Sequence, residues 1–594
     1  MTHISTFNLL LSLWSYIPTR RRFQLSALLA LMVLTSFAEV MSIGAVLPFL
    51  GMLTSPEWVY GHRFMQPLIR LFGLTEPNQL LLPLTVLFAI AAVLSGGLRV
   101  LLHWTQARLS HAIGSDFSSG IYKRNLYQPY AVHLSRNSSE VIVGITSKAN
   151  SIVNNTILPC LAILSSAMML VTILATLFWL QPYVALLAIV GFGGIYALAM
   201  LLSRRNLRRD SEMISREQAK VIKALQETLG GIRDVLLDGT QAFYCMIYEN
   251  SDRRLRRAQS NIVIIGGVPR FIVEAWGMAM IAVLAYLLAG RPGGIQSTIP
   301  VLGALALGAQ RMLPVLQYGY SSWSMLQSGR AMLADVLELL RQPLPDHLHE
   351  PQAPALEFHQ QISFENVGFR YADDLPWVLQ GVSLTIPKGA RVGFIGATGG
   401  GKSTLLDILM GLLSATEGCL TVDGLTVSKK NGRAWQAHIA HVPQSIFLTD
   451  ASVAENIAFG VPLHLIDHQR VRLAAKKAQI ADSIETWSRG YETMVGERGV
   501  RLSGGQRQRI GIARALYKTA NVIVFDEATS ALDSSTERAV MDSIEGLDQE
   551  LTIIMVAHRL STLRECSQIV ELAGGKIKRV GSYQEIIGSA DSAS

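Results

Sequence analysis

The sequence predicts a multi-domain membrane protein, a six-helix α-helical transmembrane domain followed by an α/β domain, and three observations predict it. Apolar residues make up 50% of the 594 residues and charged residues only 16%, with a mean hydropathy of +0.32, a balance that belongs to membrane proteins. The apolar residues are concentrated before residue 321, in six runs long enough to cross a bilayer core, which takes about 20 residues per helix. Beyond residue 355 the texture changes to short β-rich runs alternating with helical ones, the pattern of a layered α/β fold. The length itself exceeds that of a usual single domain.

The six apolar segments run approximately 24–53, 79–103, 156–180, 182–203, 262–290 and 298–320. The first is too long, and too poorly ended by small residues, for a cleavable signal peptide, so it is read as a retained helix. Net charge is +8, and the arginines cluster beside the apolar runs: Arg20–Arg22, then Arg204, Arg205, Arg208 and Arg209, then Arg253, Arg254, Arg256 and Arg257. The intervening segments on the other side carry only Arg63, Arg70 and Arg291, so the positive-inside rule places 104–155 and 204–261 in the cytoplasm. The clusters lack aromatic interleaving or a DNA-binding motif, which argues against nucleic acid as a partner. Cys160, Cys245, Cys419 and Cys566 form neither a CxxC pair nor a disulfide framework and read as structural thiols in a reducing compartment.

Residues 216–230 and 240–259 repeat polar and apolar positions at helical spacing, so the membrane helices are expected to continue into the cytoplasm. Between them, 230–239 is a glycine-flanked break that reads either as a short transverse helix or as a turn. In the outer segment 58–74, Phe64, Leu68, Leu71 and Phe72 fall at helical spacing and suggest a short interfacial helix, with an unstructured connector as the other reading. The resulting division is 1–330 membrane domain, 331–358 linker, 359–585 α/β domain and 586–594 tail.

In the second half, strands are expected at 362–371, 391–395, 439–442, 522–525 and 553–556. Between the strand 391–395 and a helix over 404–413 lies Gly396-Ala-Thr-Gly399-Gly-Gly401-Lys402-Ser403, which fits G-x-x-x-x-G-K-[ST]. Glycines let such a loop wrap with its N–H groups aimed at phosphate oxygens, and the following helix N-terminus adds positive potential. Lys402 would then hold the β/γ-phosphates of ATP and Ser403 would ligate Mg²⁺. The strand 522–525 ends in Asp526 and Glu527, the first suited to Mg²⁺ and the second to polarising the attacking water.

Leu502-Ser503-Gly504-Gly505-Gln506, continuing to Leu516, is the signature by which the chain resembles the ATP-binding-cassette transporter family, over residues 359–585. The resemblance implies nucleotide-binding roles for Gly396, Gly399, Gly401, Lys402, Ser403 and Thr404, and for Leu502 to Gln506. It also implies that Tyr371 stacks on adenine, although an ordinary strand aromatic is the alternative, and that Gln444 serves Mg²⁺ and coupling. Ser530 to Asp533 match the family's next segment, Glu497-Arg-Gly499 resembles an exporter element, and His558 would sense the γ-phosphate beside Glu527 as the catalytic pair. The signature of one cassette closes over the phosphate loop of another in this family, so a single-cassette chain is expected to form a homodimer of twelve membrane helices. Membrane domain before cassette resembles the exporter branch.

Ionisable residues within apolar spans are functional candidates, and Arg99, Arg270 and Arg311 all fall toward the inner half of the bilayer. A band of guanidinium groups suits phosphate or pyrophosphate. The alternative is that they snorkel or pair with Glu39 or Glu274. Phe37-Ala-Glu39 with Leu47-Pro-Phe49, Val268-Pro-Arg270 with Glu274, and Arg311-Met-Leu-Pro314 resemble the bacterial flippases of lipid-linked oligosaccharides and their polysaccharide-export relatives. That resemblance implies a polyprenyl-pyrophosphate-linked oligosaccharide as the substrate, moved from the cytoplasmic to the outer leaflet of the bacterial inner membrane. The competing expectations are a multidrug, lipid A or peptide exporter and, from another class, an ATP-gated regulatory membrane protein.

Overall fold

The computed structural model describes every residue except 1–4, 55, 62–64, 67–68, 71–72, 137, 181, 183–184, 187–188, 290–293, 345–355, 528–534, 536, 540–549, 557–562 and 589–594. The chain folds as two compact units, one of residues 1–128 with 136–344 and one of residues 129–135 with 345–594.

In the first unit α1 (Thr6–Ser15) is capped by the Ser5 hydroxyl, which accepts from the Phe7 N–H. Its carboxyl end is closed by Arg22, which donates to the carbonyls of Trp14, Ser15 and Ile17 and lies over the Trp14 ring. The helices that follow are α2 (Thr19–Thr54), α3 (Pro56–Gly61), α4 (Leu81–Leu126), α5 (Tyr130–Ser135, folded with the second unit), α6 (138–180, with two π turns), α7 (Gly194–Gly230), α8 (Ile232–Leu237), α9 (Gln241–Ala289), α10 (Gly294–Ser328) and α11 (Arg330–Leu340).

Helices α4, α7 and α9 contain 46, 37 and 49 residues. At 1.5 Å per residue they are about 55–75 Å long against a hydrocarbon core of about 30 Å, so each continues well beyond the span, as their sequences predict. Of the two readings for 230–239 the helix is the one observed, as α8, and Gly239 closes it at φ +64°, a conformation that costs glycine nothing. Among the described residues four helical stretches are long and apolar enough to cross a membrane: Thr19–Ser42, Pro77–Leu126, Val141–Trp179 and Gln241–Ala279. The expected segment 182–203 includes residues outside the described ones, and the backbone of 298–320 is helical within α10. In the outer segment Val59 and Ile69 bury with Met52, Leu80 and Leu84, whereas Phe64, Leu68, Leu71 and Phe72 lie outside the described residues.

The second unit carries two sheets. The first is antiparallel in the order β2–β1–β4–β5, from β1 (Gln361–Phe369), β2 (Leu379–Pro387), β4 (Glu417–Val422) and β5 (Leu425–Thr426). The second has the order β10–β9–β3–β8–β7–β6, built from β3 (Arg391–Ile395), β6 (Ile439–Val442), β7 (Val522–Asp526), β8 (Thr552–Val556), β9 (Gln568–Ala573) and β10 (Lys576–Gly581). Its strands are parallel except for β10. Along β7 the buried side chains alternate between two cores: Val522 and Val524 pack with Phe394 and Ile554, and Ile523 and Phe525 with Ile553 and Met555. A strand covered on both faces must read as a continuous apolar run, which is why it was visible in the sequence. The arrangement delivers the loop after β3 and the acids after β7 to the same carboxyl edge of the sheet, where α/β folds bind ligands.

The start of β1 is fastened by Asp423, whose carboxylate accepts from the backbone N–H groups of His359, Gln360 and Gln361 at 2.6, 2.9 and 2.7 Å. Partial burial alone would raise its pKa, but these donors outweigh it and hold the group below the usual carboxylate range. Asp423→Ala is therefore expected to destabilise this unit by about 1–2 kcal/mol at pH 7. Because the folded pKa is depressed, the contribution is present above the unfolded value and disappears as pH falls through the folded one. The gap in thermal stability between wild type and variant should narrow as pH falls through the folded carboxylate's titration; a constant difference across pH would contradict the assignment.

Candidate functional site

The glycine loop after β3 leads into α12 (Lys402–Leu409). Gly396, Gly399 and Gly401 adopt φ of +145°, +82° and +95°, and a Cβ at Gly401 would stand 2.7 Å from Leu379 Cδ2. Side chains at these points would strain or block the wrap. Lys402 is buried and its Nζ donates to the carbonyls of Gly396 and Ala397 at 2.8 and 3.0 Å, which holds the ammonium inside the loop. Ser403 is exposed at the helix start, and Thr404 meets the Tyr371 hydroxyl at 3.3 Å. Tyr371 is half exposed and is supported edge-on by Phe369, with ring centroids 5.0 Å apart.

Across the sheet edge, Glu527 follows β7 at φ +50°, a sparsely populated region for a side-chain-bearing residue. Its Oε2 accepts from Gln444 Nε2 at 2.6 Å, and its N–H donates to the Val556 carbonyl at the end of β8. Burial raises the pKa of Asp526, Glu527 adds to the rise and Lys402 opposes it. Asp407, one turn into α12, is pushed up to about 6 by burial and then by Asp526. Asp526, the exposed Ser403 hydroxyl and the exposed Gln444 amide offer oxygen donors at this edge, ligands of the kind that fit Mg²⁺. His558 and the segment 530–533 lie outside the described residues.

The signature forms a capping box. Ser503 accepts from the Gln506 N–H at 3.2 Å and its own N–H donates to Gln506 Oε1 at 2.9 Å, which starts helix α13 (Gly504–Tyr517) at Gly504 and Gly505. Leu502 is buried in the core beneath. Among the described residues Lys402 and Ser503 share no hydrogen bond. Arg514, within the signature segment, is partly buried and ties its helix to the neighbouring loops. It donates to the carbonyls of Asn456 and Phe447 at 2.9 and 3.0 Å, and burial lowers its pKa to about 10.

In the membrane unit the structure brings Arg99 and Arg311 together and leaves Arg270 apart. Glu39 is fully buried; its carboxylate receives Arg311 Nη1 at 2.5 Å, Ser95 Oγ at 2.7 Å and Arg99 Nε at 3.3 Å. The two arginines remain 46% and 32% exposed, so one carboxylate organises two reachable guanidinium groups and the cluster carries a net charge of +1. Arg270 instead pairs with Glu274, four residues along α9, at 2.7 Å. Ser95 was not marked in the sequence, although its position four residues before Arg99 puts both on one helix face. Arg270 and Glu274 edge a cavity of about 430 Å³ that also exposes Gln310, Gln317 and Tyr318.

Known families and proteins align with both units. Residues 25–292 match the ABC transporter transmembrane region and residues 379–530 match ABC transporter. The ATP-dependent lipid A-core flippase of Cupriavidus metallidurans is 29% identical over 81% of each chain, and that of Paraburkholderia xenovorans 28% identical over 81% of this chain and 80% of its own. A solved structure of a bacterial Atm1-family ABC exporter with ATP bound superposes with a TM-score of 0.76 at 24% identity, covering 96% of each chain, a likeness of fold.

Proposed function

Since this chain is an ABC transporter half-transporter that joins an exporter-type transmembrane region to an ATP-binding domain using ATP and Mg²⁺, we propose that its ATP turnover moves a phosphate-bearing glycolipid from the cytoplasmic to the outer leaflet. The observation that carries this reading is the Arg99–Glu39–Arg311 cluster at membrane depth. A partly exposed pair of guanidinium groups sharing one buried carboxylate suits a phosphate head and disfavours a cationic drug. The names of the relatives support a lipid A-type cargo, and we place that first. The short membrane motifs around Glu39, Arg270 and Arg311 support a polyprenyl-pyrophosphate-linked oligosaccharide as the second reading.

In this scheme two copies pair in a bacterial inner membrane. Lys402 and the loop glycines hold the phosphates, Tyr371 meets adenine, and Leu502 to Gln506 of one copy close the site of the other. Asp526, Ser403 and Gln444 would hold Mg²⁺, which would supply positive charge against the phosphate oxygens. Glu527 orients water and His558 faces the γ-phosphate. In this scheme the domains are 1–330 and 359–585, and of the segment 331–358 between them residues 331–344 pack with the first.

The test is reconstitution in proteoliposomes with ATP and each lipid separately. ATP-dependent arrival of a phosphorylated glycolipid in the far leaflet, reduced at least about tenfold in Arg311→Ala (a loss of about 1.4 kcal/mol), is the expected result. Whichever lipid moves decides between the two cargoes. Movement of a cationic drug with neither lipid transported would overturn both.

A further inference from the structure

The cavity beside Arg270 has a composition that does not suit the phosphate. Arg270 and Glu274 neutralise one another in its wall at 2.7 Å, so an anion placed there would also face a carboxylate. What remains is a mostly apolar wall, with Leu313, Pro314 and the tyrosine rings, into which the uncharged amides of Gln310 and Gln317 and the phenols of Tyr196 and Tyr318 are set. Part of it is rigid: Tyr196 is buried and its hydroxyl donates to Gln317 Oε1 at 3.0 Å, while Gln317 Nε2 donates to the Gly266 carbonyl at 2.9 Å. Tyr318 is 47% exposed and Gln310 is exposed, and both line the opening with the apolar surfaces of Leu313 and Pro314 beside them.

We infer that this cavity is a saccharide subsite, which takes the sugar of the transported head group while the Glu39 cluster takes its phosphate. Amide and hydroxyl groups match sugar hydroxyls, the adjoining Arg–Glu pair offers both a donor and an acceptor, and a phenol face with aliphatic neighbours suits the C–H face of a pyranose. The volume of about 430 Å³ lies in the range of small-molecule sites, about 300–1,000 Å³, and leaves room for a disaccharide. The two subsites are joined by covalent geometry. Gln310 lines the cavity and Arg311, the next residue of α10, reaches Glu39, so they differ in height by about 1.5 Å and point about 100° apart around the helix. A phosphate and the sugar next to it can therefore be held at one level on adjacent faces of the same helix.

This rests on the glycolipid reading, and the test separates the two. N,N′-diacetylchitobiose is offered to the full-length protein in nanodiscs, and saturation-transfer NMR reads its contact with the protein. Transfer is expected in wild type, about tenfold weaker in the Gln310→Ala/Tyr318→Ala double variant, and retained in Arg311→Ala, which alters only the charge cluster. Both cavity substitutions are at exposed positions, and an unchanged melting temperature verifies that the variant is folded. Absence of transfer in wild type, or equal transfer in the double variant, overturns the saccharide subsite. Failure of the cargo reading appears instead as absence of lipid movement in proteoliposomes, and the sugar contact is decided either way.

Discussion

Glu527→Gln is expected to reduce steady-state ATP turnover by about 10²–10⁴-fold while leaving nucleotide binding nearly unchanged, the range for removing a positioned base. Glutamine keeps the volume and one acceptor oxygen. It cannot take a proton from water or hold the charge that the Gln444 amide now meets at 2.6 Å. The positive φ at Glu527 adds to the case, since side-chain-bearing residues persist in that region where surrounding structure imposes it, as at active sites. The backbone hydrogen bond from Glu527 to Val556 fixes that geometry and survives the substitution. Phosphate release and ATP retention measured on the same sample check the split; undiminished turnover would remove Glu527 from the catalytic role.

The second large effect is expected at Glu39. Glu39→Ala withdraws the buried carboxylate and leaves two partly exposed guanidinium groups without their shared partner, which is expected to cost about 1.5–3 kcal/mol, the range for a hydrogen bond to a charged group. Arg311→Ala leaves the Arg99–Glu39 pair intact, so it is expected to cost much less stability while still impairing transport. Glu39→Gln preserves an acceptor for Ser95 and removes only the charge, and should fall between the two. A double-mutant cycle over Glu39 and Arg311, read by thermal unfolding in nanodiscs, should give a coupling of about 1–3 kcal/mol. Additive losses would mean that the contact has no energetic content.

Legibility in the sequence followed burial. The strands β7 and β8 are legible because, covered on both faces, they are nearly unbroken apolar runs, and β3 and β6 are legible as short apolar runs interrupted only by Arg391 and His441. β2, β4, β5, β9 and β10 lie outside the strands the sequence predicts. β2 buries Leu379, Val382, Leu384 and Ile386 between exposed neighbours, and β10, Lys576-Ile-Lys-Arg-Val-Gly581, has no apolar run at all. The helix after the phosphate loop ends at Leu409 rather than 413, because the chain turns at Gly411 with φ +65°. The cassette site was visible as motifs, since its chemistry needs fixed residue types at short spacing. The membrane site was visible only as single charges. Glu39 lies 56 residues from Ser95 and 272 from Arg311, so its role as their common partner arises from helix packing that no local pattern records.

The placement of that cluster along α4 has a mechanical meaning. Arg99 divides the helix unevenly, with 18 residues back to Leu81 and 27 onward to Leu126, arms of about 27 and 41 Å. Arg99 ties α4 to a buried carboxylate on α2, so a rigid tilt of α4 that kept this ion pair would turn about the charge cluster. A tilt about that point displaces its long end about 1.5 times as far as its short one. A swing of about 6 Å at the long end therefore becomes about 4 Å at the other, and the groups at the pivot stay nearly still while the ends move.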